Sequence, residues 1–138
     1  MSNDLIKDYY PDLITMTKFR QPNYAVIDFE ALLARLWGQP ASFLTLLEVG
    51  VIRQTMKDQK WVEQTCFAQF GRLAEVPFWA MNYYQKEVGI DGPKHSPSDE
   101  PVSIAQRGSD LILWNGYHRA LVKILAGERS IKGYLLLL

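Results

Sequence analysis

Cysteine is nearly absent from this 138-residue chain, with Cys66 as the only one. No internal disulfide can form, so a reducing, cytoplasmic setting is the expectation. Charge of one sign is also lacking, because fifteen basic residues balance fifteen acidic ones. That balance excludes a global field favouring DNA or anionic membrane, and leaves nucleic-acid contact dependent on a local patch. Long apolar runs are missing too. The longest apolar tail, Tyr134 to Leu138, falls far below the roughly 20 residues that a bilayer span needs. Asp4, Lys7 and Asp8 interrupt the first ten residues, so the unbroken apolar core of a signal peptide is not there either. No internal repeat or low-complexity tract occurs.

What is present is apolar bulk. Hydrophobic residues make up 48%, with four Trp, seven Tyr and six Phe, which argues for a packed globule and against disorder. The length suits one domain, expected to cover residues 1–138. Residues 1–88 read as a mainly helical part, 89–100 as a loop, and 101–138 as a compact unit of strand, strand, motif, helix and strand.

Within the first part, Leu5, Ile6, Tyr9 and Tyr10 suggest a short helix stopped by Pro11, and Leu13 to Phe19 a strand before a turn at Arg20 to Asn23. Asp28 is placed to cap a helix carrying Phe29, Leu32, Leu33, Leu36 and Trp37, ended by Gly38 and Pro40. A second helix is expected over Ser42 to Val49, with Ser42 as cap and Gly50 as stop. A third follows a possible cap at Asp58, with Trp61, Val62, Thr65, Cys66, Gln69 and Phe70 in one stripe before Gly71. Phe78, Trp79, Met81, Tyr83 and Tyr84 place aromatic bulk on nearly every side, which suits either core or a face offered to a partner. Gly89 to Pro101 holds two Gly and three Pro and reads as an exposed loop, with Lys94 and His95 in it as a conceivable lid.

In the last part, Pro101 to Ile104 and Asp110 to Trp114 read as strands joined at Gly108-Ser109, Arg119 to Ala126 as a helix stopped by Gly127, and Ile131 to Leu138 as a strand buried on both faces. Between the second strand and the helix stands Asn115-Gly116-Tyr117-His118-Arg119. Gly116 can take a positive φ and let backbone approach a ligand. The unpaired first amides of the helix carry the positive dipole end. Arg119 offers a fork of donors matched to phosphate oxygens. His118 can donate a hydrogen bond or move a proton, and is the candidate catalytic residue. Asn115 caps the helix or shapes the turn. Together Asn115, Gly116, Tyr117, His118 and Arg119 form a candidate phosphate cradle, read against the plainer alternative of a tight turn with a salt-bridged arginine.

Glu100-Pro101-Val102-Ser103-Ile104, the Asn115 to Arg119 motif, and Ala126-Gly127 before Ile131 together resemble the ParB/sulfiredoxin superfamily, over about residues 100 to 138. The resemblance implies an α+β fold with a small mixed sheet and packed helices, here with a helix-rich N-terminal elaboration. It also implies a nucleotide or other phosphate ligand, ATP or CTP with Mg²⁺, at the Gly116–Arg119 turn, with phosphoryl-transfer or nuclease-like activity as the associated chemistry. Three departures narrow this. Sulfiredoxins place a nucleophilic Cys where Tyr117 stands, and a phenol cannot do thiolate chemistry. Partition proteins match Gly116 and Arg119 but add a second downstream motif and a helix-turn-helix, and the sequence reaches Leu138 before either, so a complete partition protein is not expected. Related free-serine kinases begin the turn with Asp, and Asn115 cannot ionise. Phosphoryl transfer normally requires Mg²⁺ on carboxylates, and Asp28, Glu30, Asp99, Glu100 and Asp110 show no metal-site spacing, so no metal ligands are assigned. Whether the chain is an enzyme is left open. The alternative expectation is a non-enzymatic interaction protein, with the aromatic stretch facing a partner or a second copy in a homo-oligomer.

Overall fold

The computed structural model describes residues 10–17, 24–61, 65–90 and 99–138. The expected helix at Leu5, the turn at Arg20 to Asn23 and the lid residues Lys94 and His95 lie outside these, wholly or in large part. After a 3-10 turn at Pro11–Leu13, strand β1 (Ile14–Thr17) pairs antiparallel with β2 (Tyr24–Asp28), and β2 with β6 (Glu87–Ile90), forming a three-stranded sheet. A second, six-stranded sheet has the order β3-β5-β8-β7-β9-β4, from β3 (Ser42–Phe43), β4 (Arg72–Pro77), β5 (Met81–Tyr83), β7 (Val102–Arg107), β8 (Asp110–Asn115) and β9 (Ser130–Leu137). It is mixed, since β3–β5, β5–β8 and β7–β9 run parallel while β7–β8 and β4–β9 run antiparallel. Four α-helices complete the described residues: α1 (Phe29–Trp37), α2 (Leu46–Asp58), α3 (Thr65–Phe70) and α4 (Tyr117–Leu125). The class is α+β.

Local chemistry sets several boundaries. The Asp28 carboxylate accepts from the Ala31 amide at 3.0 Å and starts α1, while Gly38 at φ +65° returns its amide to Ala34 O at 2.9 Å and ends it. Helix α2 differs from the expected Ser42–Val49 helix. Ser42 lies in the short strand β3, and the cap is Thr45, whose hydroxyl accepts from the Glu48 amide at 3.2 Å while Glu48 accepts from the Thr45 amide at 2.7 Å. This reciprocal pair fixes the start, and burial of Val49, Ile52 and Met56 carries the helix through Gly50, whose helical penalty is only about 1 kcal/mol. Asp58 is the last residue of α2, not the cap of α3.

Among the described residues, the N-terminal part is therefore not mainly helical. Arg72–Pro77 is a strand, the aromatic stretch from Phe78, inside the part expected to be mainly helical, is a 3-10 turn followed by β5, and β6 extends through Gly89 to Ile90, inside the expected loop. Pro77 fixes the approach to the 3-10 turn, and the Tyr83 hydroxyl donates to Phe78 O at 2.6 Å across it. Backbone pairing with β9 and β2 stabilises segments whose own sequence pattern is ambiguous.

Alternation along the central strands divides the core. Ile104, Leu113 and Leu135 point to a larger cluster with Phe29, Leu33, Tyr83, Tyr117 and Leu121, which also takes in Ile27 and Val88 of the smaller sheet. Their neighbours Ala105, Ile112 and Leu136 point the other way, into a cluster with Val49, Ile52, Met56, Cys66 and Phe67. Helices thus cover both faces of the larger sheet, which explains the apolar run of β9. Cys66 is buried and acts as a small apolar filler. No helix among the described residues is long and apolar enough to cross a membrane.

Candidate functional site

Strand β8 ends at Asn115 and α4 begins at Tyr117, so Gly116 makes the connection alone. It has φ +111°, and a Cβ there would lie 2.5 Å from Val102 Cγ1 and 2.9 Å from Val102 Cβ. Glycine is required twice over, by dihedral and by space. The first helical bond runs from the Ala120 amide to Gly116 O at 2.9 Å, so the amides of Tyr117, His118 and Arg119 precede the regular pattern. No side chain caps this end. Asn115, expected to cap or shape the turn, is an exposed strand residue, and Gly116 holds the cap position.

Tyr117 turns its phenol into the larger core cluster, edge-on to Phe29, Tyr83 and Tyr84. Its oxygen accepts from the Tyr84 amide at 2.8 Å and the Gln85 amide at 3.2 Å. Burial pushes this phenol far above its ordinary range despite those two donors, so it stays neutral. What Tyr117 presents to the turn is its backbone. Arg119 is half-buried, and Nη1 donates to Glu100 O at 3.1 Å and Pro101 O at 2.7 Å. The guanidinium thereby fastens the start of α4 to the segment entering β7 and holds a fixed positive charge beside Gly116. His118 is half-buried with its Nε2 atom inside the surface.

These five residues line a depression of about 250 Å³, completed by Tyr84, Gln85 and Trp114. The Tyr84 hydroxyl donates to Trp114 O at 2.9 Å, and the Arg53 guanidinium lies 5.7 Å from the centre of the Trp114 ring. Tyr84 was legible as part of the aromatic stretch but not as a wall of this site, because only the parallel pairing of β5 with β8 brings it there. Arg53 carries no sequence signal of its own. The arrangement can accept an anion through helix amides, a cationic wall and a titratable imidazole.

Carboxylates for a cation are dispersed. Asp28 caps α1, Glu30 pairs with Lys86 at 3.5 Å, Asp99 with Lys123 at 3.5 Å and Asp110 with Arg107 at 3.6 Å. Among the described residues no three His, Cys, Asp or Glu side chains converge as a metal site. No protein-family model matches the chain, and neither a curated protein nor a solved structure shows significant similarity to it.

Proposed function

We propose that the Gly116 turn binds a phosphate-bearing ligand, with nucleotides such as ATP or CTP as its class, on a ParB/sulfiredoxin-like fold. One observation carries the reading: α4 starts without a side-chain cap, and its first amides and two of its cationic or titratable side chains border one depression. The amides and the Arg119 charge would hold phosphate oxygens, and His118 would donate to them. Mg²⁺ would have to arrive with the nucleotide, given the scattered carboxylates, so binding rather than phosphoryl transfer or nuclease-like cleavage is the function proposed. Calorimetric titration with ATP, CTP and ADP, with and without Mg²⁺, tests this. Wild type should bind at least one of them, and His118→Ala should weaken binding about tenfold, near 1.4 kcal/mol. Absence of heat from every nucleotide, or an unaltered His118→Ala isotherm, sinks the reading.

A second reading, a non-enzymatic interaction protein, is favoured by a different observation. Tyr117 and Arg119 both have structural tasks, while Leu46 and Leu47 on α2 are 88% and 79% exposed, with Val51 exposed beside them in helical spacing. Here α2 would face a second copy of the chain. Sedimentation at micromolar concentration should then give a mass above the monomer that Leu47→Lys reduces. A monomer throughout that range rejects it.

A further inference from the structure

Among the described residues the larger sheet ends at β4, with β9 on one side and no strand on the other. The opposite end is β3, only two residues long. Strand β4 is thus the longer open edge, a row of backbone groups suited to pairing with another strand. The register decides which groups face outward. Phe78 continues the β4–β9 pairing by donating its amide to Arg129 O at 2.9 Å, and in an antiparallel ladder alternate residues direct both N–H and C=O at the same neighbour. Val76, Ala74 and Arg72 therefore face β9, while Leu73 and Glu75 face outward with their amides ~7 Å apart. Pro77, which has no N–H, closes one end of this row. The Gly71 amide, returned to Phe67 O at 2.9 Å, closes the other.

Side chains add a second condition. Leu73 is 53% exposed and lies opposite Tyr134, hence on the sheet face that carries α3, whose last residue Phe70 is 62% exposed. Arg72 and Glu75 are exposed as well. A copy of β4 added antiparallel about a two-fold axis must set outward-facing residues against outward-facing residues, which restricts the registers. One of those allowed opposes Arg72 to Arg72 of the copy, and another opposes Glu75 to Glu75, like charges face to face. A third puts Leu73 against the Glu75 carboxylate. The remaining register pairs Leu73 with Leu73, with Phe70 of each copy on the same face. The charges thus bar slipped self-pairings and leave one, a selection that has meaning only for a second copy of this chain.

We infer that β4 pairs antiparallel with β4 of a second copy, centred on Leu73, and joins the two larger sheets into one. The Leu73 backbones of the two copies exchange N–H and C=O bonds, and each Glu75 amide meets the Gly71 carbonyl opposite. This interface uses neither the α2 leucines nor the Gly116 turn. Sedimentation of the full chain from micromolar to about 200 µM, a range suited to a small interface, is combined with amide hydrogen exchange at both ends of that range. The mass should rise toward a dimer. At the high end the Leu73 and Glu75 amides should exchange about tenfold or more slowly, while those of Arg72 and Ala74, already bonded to β9, keep their rates. Glu75→Pro removes an outward N–H where a sheet edge accepts proline, and Leu73→Lys, which alters no backbone group, keeps the test decisive if the proline variant fails to fold. Each should weaken the dimer about tenfold or more, and Leu47→Lys should not. A monomer throughout, a dimer weakened by Leu47→Lys and not by Leu73→Lys, or Leu73 and Glu75 exchange rates independent of concentration overturns the inference.

Discussion

Helices α2 and α4 begin in opposite ways. At α2 the Thr45 hydroxyl and the Glu48 carboxylate close the first turn from within the sequence, and nothing beyond four consecutive residues is involved. At α4 the cap is a bare glycine, and long-range contacts hold the turn in place: Tyr117 to the amides of residues 84 and 85, Arg119 to the carbonyls of residues 100 and 101. A locally closed start has two of its four free donors satisfied by adjacent side chains, the amides of Thr45 and Glu48, and its surroundings carry exposed leucines. An open start keeps its donors for something else and depends on the tertiary structure to stay in shape. The contrast teaches where a ligand can be accommodated and which substitutions will be felt far away.

The largest effect expected breaks the open start. Gly116→Ala puts a Cβ against Val102 at a φ that L side chains rarely adopt, so thermal or denaturant unfolding should show a loss of about 3 kcal/mol or more. Next, Tyr117→Phe keeps the ring and removes the acceptor shared by two amides, with an expected loss of about 1–2 kcal/mol. A change in nucleotide binding for this variant larger than its change in stability would show that the anchored turn matters for function. Thr45→Ala should then cost about 1 kcal/mol, and it should leave ligand binding at Gly116 untouched. If it does not, the two helix starts are not independent.

The smallest effect is one of pH. Thr45 holds the Glu48 carboxyl below its usual range through its amide and then its hydroxyl. A depressed folded-state pKa means a contribution present above the unfolded-state value near 4.5 and lost as pH falls through the lowered one. Glu48→Gln should therefore flatten the acid limb of the stability curve, measured by chemical denaturation from about pH 5 downward.

Legibility in the sequence followed the same division. Elements closed by adjacent residues could be read: α1 between Asp28 and Gly38, the β7–β8 turn at Gly108-Ser109, and α4 behind Asn115-Gly116. Thr45 and Glu48 stand at capping-box spacing in the sequence, where Ser42 and Gly50 offer a competing cap and stop. Elements defined by distant partners were not legible. Arg72–Pro77 alternates weakly and becomes a strand by pairing with β9, and Glu87–Ile90 contains a glycine suited to a loop until β2 lies beside it. At the site, the five motif residues are brought together by contiguity, whereas the directions of Tyr117 and Arg119 depend on segments that only the fold brings near.

Val102 stands between two glycines. Its Cγ1 fills the space that a side chain at Gly116 would need, and its Cγ2 lies 3.2 Å from where a Cβ at Gly133 would be. Ile104 Cδ1 comes closer to Gly133, 2.5 Å from a Cβ there, so positions 102, 104, 116 and 133 share one allotment of volume across β7, the turn and β9. Sequence change at any one of them is constrained by the others, so in diverging copies of this chain the four should drift together or stay still. The turn that opens α4 is in that sense inherited jointly with the strands beneath it.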